Sequence, residues 1–211
     1  MFSTPLSEPC TLGYPRQVSR LADIPNLNVR RRKRPHADTA RKVLDAAIEL
    51  LQEQPRVELT MRAVAARASV PMATAYNYFS SKNALIAQVY LELLRAVPPC
   101  TDPSLSATSR VTVVLHRVAT IVAEDTPMAA TCAIVMMGDE PDVKRTRTEI
   151  EYQIYRLVSS ALGPKARPGI ASTLMLAYSG ALLHRGTGAR SRAQLTDRLE
   201  NTVSLIVHEN L

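Results

Sequence analysis

No segment of this chain carries the signature of a catalyst. It has no HExxH metal-binding helix, no glycine-rich phosphate loop and no GxSxG nucleophile elbow. The four histidines, His36, His116, His184 and His208, stand far apart, and each reads as a surface or capping residue. An enzyme is not expected, nor is a cofactor or a metal. Cysteine is scarce: Cys10, Cys100 and Cys132 are scattered and odd in number, matching neither a zinc site nor a disulfide framework. A reducing, cytoplasmic compartment is the expectation, with Cys132 a small core residue in an apolar run. Long hydrophobic runs are also missing. The longest uncharged stretch, 168–184, includes Ser172, Thr173, Tyr178, Ser179 and Gly180. It falls short of the roughly 20 apolar residues a spanning helix needs, so a buried helix and no membrane partner are expected. The first 30 residues contain Pro5, Pro9, Gly13, Pro15 and Pro25 without a continuous apolar block, which speaks against a signal peptide.

Positive charge is present, and it is unevenly placed. Of the net +7, residues 1–97 hold +6, with 14 Lys/Arg against 8 Asp/Glu, and residues 98–211 hold +1. A cationic N-terminal half on a near-neutral remainder points to a polyanion at one end of the molecule and a different task at the other. A length of 211 residues suits a module of about 50 residues plus a larger one.

Periodicity predicts an all-α chain. Residues 1–37 read as an unstructured tail ending in a basic arm that includes Arg31, Arg32 and Lys33. Asp38 or Thr39 is expected to cap a first helix running to about 54, with Val43, Leu44, Ala47, Ile48 and Leu51 as its apolar stripe. Short helices follow at 60–68 and 71–79, then one capped by Ser81 that stops before Pro98. Further helices are expected at about 108–125, 127–137, 141–162, 168–186 and 191–209, each bounded by a breaker or cap. The β-branched stretch 111–114 is the one place where a strand competes. Leu115, Val118, Ile121 and Val122 continue the helical period and favour helix.

The stretch 59–86 carries the chemistry. Helix, tight turn and helix followed by Ser-Lys is the way a protein presents a short helix to the major groove. On that helix Ala75 and Phe79 are expected to face inward above Val70, which leaves Met72, Thr74, Tyr76, Asn77 and Tyr78 outside. Tyrosine hydroxyls can donate to phosphates, and Asn can bond adenine through two hydrogen bonds. Alternatively, Tyr76 or Tyr78 packs against the first helix as core. Thr60 and Arg62 open the preceding helix, where a phosphate would meet free amides. Lys82 opens the following one, a position that opposes the helix dipole unless an anion is near. The basic arm either enters a minor groove or adds only non-specific attraction.

These residues resemble the TetR-type transcriptional regulators over 41–90. Val43-Leu44-Asp45-Ala46-Ala47 with Leu50-Leu51 is similar to the first helix of that family, and Leu59 to Ala65 to the second. Val70 to Phe79 followed by Ser81-Lys82 is similar to the recognition helix and the start of the linker helix. The resemblance implies DNA contacts, mostly to phosphates, at Thr60, Arg62, Thr74, Tyr76, Tyr78 and Lys82, and base reading by Met72 and its neighbours, Asn77 among them. Three residues depart from the pattern. Ser69 stands where Gly is usual in the turn, Pro71 replaces the usual Ser cap, and Ala75 replaces a larger aliphatic.

The resemblance further implies a helix-turn-helix domain at 38–86 and a helical ligand-binding and dimerisation domain at 87–211. Its candidate pocket residues are Leu94, Leu115, Val118, Val122, Met128, Cys132, Met136, Tyr152, Tyr155, Met175 and Tyr178. The residue-level alternative for each is plain core. A likeness of this half to regulators of sterol or fatty-acid catabolism implies an apolar or amphipathic effector. The last two helices would join a second copy through Leu174, Leu182, Leu183, Leu195, Leu199, Val203 and Ile206. The expected partners are therefore a palindromic double-stranded operator, a second copy of the chain and a small molecule. A sequence-neutral DNA-coating protein and a helical protein-binding sensor are the rival readings.

Overall fold

The computed structural model describes residues 35–53, 58–121, 132, 135, 137–186 and 192–208, leaving aside the side chains at 35–37, 182–186, 192–197 and 208. Its elements are α1 (Pro35–Glu53), α2 (Met61–Arg67), α3 (Met72–Tyr78), α4 (Lys82–Arg95), α5 (Ala107–Ile121), α6 (Pro141–Leu162), α7 (Ile170–Gly186) and α8 (Arg192–His208). No strand occurs among the described residues, and the 111–114 stretch is helical. Between α5 and α6, Cys132, Val135 and Met137 are also helical. The chain is all-α, as its periodicity predicts.

Helix α1 starts at Pro35, earlier than the expected cap at Asp38 or Thr39. Proline lacks only an amide that the first turn leaves unbonded, so it opens a helix without loss. The predicted stripe holds: Val43, Leu44, Ala47, Ile48 and Leu51 are all buried. Arg31, Arg32 and Lys33 of the basic arm lie outside the described residues.

Helix α4 is the central beam. Ala84, Leu85, Ile86, Ala87, Val89, Tyr90, Leu91, Leu93 and Leu94 are buried, so little of its circumference meets solvent. It packs against α1 on one side and against α5 and, most extensively, α6 on the other. Burial of Leu85, Leu91 and Leu94 stabilises by about 1.5–3 kcal/mol each, an upper bound set by the unfolded reference. The apolar core runs without a break from Val43 of α1 to Val207 of α8. The expected boundary between 86 and 87 therefore falls inside one continuous helix.

The rest of the bundle closes around α4. Helix α5 turns Val111, Val114, Leu115 and Val118 inward. From the same helix Arg110 reaches the last turn of α6, donating to the Ala161 carbonyl at 2.7 Å and the Leu162 carbonyl at 3.4 Å. A guanidinium there bonds carbonyls that the helix end leaves unpaired and suits the negative end of the dipole. Helices α7 and α8 pack on each other, with α7 against α6 and α8 against α5. Gly169, at φ +93°, holds the turn before α7, so that helix begins at Ile170 and not at the expected 168. Among the described residues no helix is long and apolar enough to cross a membrane.

Candidate nucleic-acid interface

Helices α2 and α3 form the reading head. Thr60 caps α2, its hydroxyl oxygen accepting from the Ala63 amide at 3.2 Å. That bond uses an acceptor lone pair and leaves the hydroxyl proton for another partner. At the other end of α2 the Val70 amide donates to the Ala65 carbonyl at 3.0 Å and the Ser69 amide to the Ala66 carbonyl at 3.1 Å. This pair of bonds is a Schellman ending, which requires a left-handed residue just past the helix. Ser69 is that residue, at φ +55°. The turn that glycine would form freely is thus held by serine under strain, in line with the departure noted in the sequence.

Arg67, in the last turn of α2, grips Glu53 of α1 through both terminal nitrogens, at 2.8 and 2.6 Å, and lies 3.4 Å from Glu49. The hydrogen bonds from Arg67 hold the Glu53 carboxyl below its usual range. The fork ties the last turn of α2 to the end of α1.

Pro71 caps α3 with no side-chain hydrogen bond. Ala75 is fully buried, Phe79 is buried, and Val70 packs partly against the same core, so the inner face is the expected one. Met72 and Tyr76, one turn apart, are 50% and 44% exposed, and Asn77 is exposed between flanking tyrosines. Tyr78 is half-buried against the core and Thr74 half-buried. The two tyrosines therefore divide the alternatives: Tyr76 points outward and Tyr78 lies at the packing edge. Arg62 is exposed on the first turn of α2.

Ser81 caps α4, its hydroxyl accepting from the Ala84 amide at 3.0 Å. Lys82, next in sequence, forms an ion pair with Glu58, and this bond lowers the Glu58 carboxyl below its usual range. The anion that the sequence reading sought beside Lys82 is thus already supplied by the protein.

A short outward helix on a buried seat, flanked by Thr60, Arg62 and Lys82, defines a helix-turn-helix DNA-binding protein. Comparison with known proteins agrees. Residues 43–89 match the bacterial regulatory proteins of the tetR family. The HTH-type transcriptional regulators Rv0767c of Mycobacterium tuberculosis and Mb0790c of Mycobacterium bovis are each 44% identical over 178 residues, covering 83% of this chain and 84% of theirs. A TetR transcriptional regulator from Rhodococcus sp. RHA1 superposes with a TM-score of 0.59 at 20% identity, over 79% of this chain and 95% of that one. One from Haloarcula marismortui gives 0.50 at 14%, over 83% and 99%. The chain belongs to the TetR family of DNA-binding transcriptional regulators, and its relatives are regulators and not enzymes.

The candidate effector residues divide. Leu94, Leu115, Val118, Cys132 and Tyr178 are buried in one core, with Met175 packed partly against it. Tyr152 and Tyr155 are corrected: they are 64% and 42% exposed on the outer side of α6, whose inner side is Ile150, Gln153, Ile154 and Leu157. Val122, Met128 and Met136 lie outside the described residues. Tyr90, which sits among Val89, Leu93 and Leu94 and reads as plain core in the sequence, joins this interior. It is fully buried, and burial first, then the adjoining Tyr178 and Cys132, raise its phenol well above the ordinary value. Two phenols and a thiol thus converge in an otherwise apolar interior.

The candidate dimer residues also divide. Leu174 and Val203 are corrected, since both are 1% exposed inside their own protomer. Leu199 and Ile206 are half-buried against the core. Leu182, Leu183 and Leu195 lie outside the described side chains. Among the described side chains, Leu176 and Leu205, 76% and 66% exposed, are the outward large apolar residues of these helices. An apolar run that covers α7 on all sides conceals which leucines face out.

Cys132 is a free, buried thiol. Cys100 is fully buried and disulfide-bonded, against the expectation of unpaired cysteines in a reducing compartment; Cys10 lies outside the described residues. Sequence spacing gives no signal for such a bond.

Proposed function

We propose that this protein is a ligand-responsive repressor. Two copies hold their α3 helices at a fixed separation on a palindromic operator, and an apolar or amphipathic small molecule bound in the bundle releases them. The observation that carries the reading is the outward face of α3, with Met72 and Tyr76 about half exposed on a helix anchored by Ala75 and Phe79. Apolar surface of that kind on a short helix is costly in water and is covered by base edges and thymine methyls in a major groove. Thr60, Arg62, Thr74, Tyr78 and Lys82 would hold the phosphates on either side.

Geometry and surface both support dimerisation. One seven-residue helix spans few base pairs, whereas a twofold pair reads two half-sites with linked affinity. The exposed Leu176 and Leu205 offer the apolar surface that a second copy would cover. Light scattering is expected to give a dimer at micromolar concentration.

The effector reading rests on the interior formed by Leu94, Leu115 and Val118 with the polar groups of Tyr90, Tyr178 and Cys132. Such a lining suits an apolar molecule bearing few polar groups. A coupling of about 1–3 kcal/mol between effector and operator would weaken DNA binding about 5- to 150-fold. Selection of bound duplexes from a random pool tests the DNA reading. Melting curves over a panel of fatty acids, sterols and acyl-thioesters test the effector class, and a panel with no shift would sink it.

A further inference from the structure

Glu140 stands at the N-cap of α6 but makes no side-chain bond to its own helix. Its carboxylate reaches instead to the start of α4. One oxygen accepts from the Ser81 hydroxyl at 2.5 Å and the other from the Asn83 side-chain amide at 2.7 Å. Beside it the Ser80 hydroxyl donates to Asp142 at 2.6 Å, and Arg145 holds Asp142 from the other side at 2.7 Å. Under these bonds Ala84 and Ala87 of α4 pack on Val135 and Val143. The turn that joins the reading helix to α4 is therefore held by two carboxylates of the bundle.

The location gives the arrangement its consequence. Ser80 follows Phe79, the inner anchor of α3, and Ser81 precedes Lys82. Ser81 uses its oxygen to cap α4 and its proton to bond Glu140, so the cap and the crossing bond depend on one hydroxyl. On the other flank, buried Cys132 and Val135 precede Glu140 in sequence, and Cys132 adjoins the Tyr90–Tyr178 interior.

We propose that Glu140 is a positioning residue: through Ser81 and Asn83 it sets the orientation of the reading head on the bundle, and with it operator affinity. The inference rests on the reading of α3 as the DNA-contacting helix. It also makes a sign prediction. A carboxylate beside a phosphate-facing turn repels DNA, so a purely electrostatic role would make its removal strengthen all DNA binding. A positioning role makes removal weaken specific binding alone.

The test uses full-length protein, the duplex enriched by selection and a random duplex at fixed salt. Glu140→Ala is expected to lower affinity for the selected duplex about tenfold and to leave the random duplex unchanged. Glu140→Gln is expected to stay within about twofold of the parent, because its amide can bond Ser81 and, after a flip of Asn83, that side chain also. Amide hydrogen exchange on the same proteins should quicken at Ala84 and Leu85 in Glu140→Ala and stay unchanged at Leu157 and Val158. Parent-like affinity and exchange in Glu140→Ala would overturn the proposal. So would tighter binding of both variants to both duplexes. If the parent enriches no sequence, the reading of α3 fails and the exchange result alone decides the coupling.

Discussion

Lys82 and Glu58 form an ion pair across the start of α4, which places a carboxylate where a DNA phosphate is expected. Phosphate must displace Glu58 to reach the ammonium. Glu58→Gln is therefore expected to raise affinity for operator and random duplex alike, by about 2- to 5-fold at low salt. The gain should fade as salt rises, because both charges are partly exposed. Titrations of the two proteins across a salt series check this; equal affinities at low salt would contradict it.

Ser69 occupies a left-handed position that costs a non-glycine residue about 1–2 kcal/mol. Glycine removes that cost and adds about 0.5–1 kcal/mol of unfolded-chain entropy. Ser69→Gly is expected to stabilise the protein by about 0.5–1 kcal/mol, and Ser69→Val to destabilise it. Denaturant midpoints decide between this and an unstrained turn.

The reading head was legible in the sequence because local rules fix it. Thr60 and Ser81 announce helix starts, Ala75 and Phe79 repeat one turn apart, and Ser69 marks the turn where glycine is usual. Those signals need no partner from elsewhere in the chain. The bundle was less legible for the same reason. Tyr152 and Leu174 are both apolar enough for an interior, and which face turns inward is set by packing, of α6 against α4 and α5 and of α7 against α6 and α8. Glu140 was invisible, since its partners lie 57 and 59 positions away in sequence. The Lys82 cation was noticed, but the Glu58 that answers it was not, because Glu58 lies in the connection before α2, 24 residues away in sequence.

Burial pushes the Cys132 thiol up to about 12, far above the pH of ordinary labelling. Thiolate is the reactive form, so the native protein at pH 8 without reductant should resist alkylation at Cys132 and react there once unfolded. Mass spectrometry of the labelled peptide checks it. Rapid native labelling would show that this interior opens readily.

Among the described side chains, Leu176 and Leu205 are the exposed leucines of α7 and α8. Changing both to Lys is expected to shift the particle from dimer to monomer in light scattering. Operator affinity should fall by more than tenfold through loss of the second half-site, with random-duplex binding reduced far less. A parent-like dimer would place the interface elsewhere.

Base reading by the outer face of α3, as proposed, is measured by one competition. The parent protein is expected to prefer its selected duplex over random duplex by at least about 10³-fold at physiological salt. The Tyr76→Ala, Asn77→Ala variant should lose most of that preference and keep random-duplex affinity within a few-fold. Both side chains are exposed, so its stability should stay within about 0.5 kcal/mol of the parent. Equal binding of the parent to both duplexes, or an undiminished preference in the variant, would contradict the account.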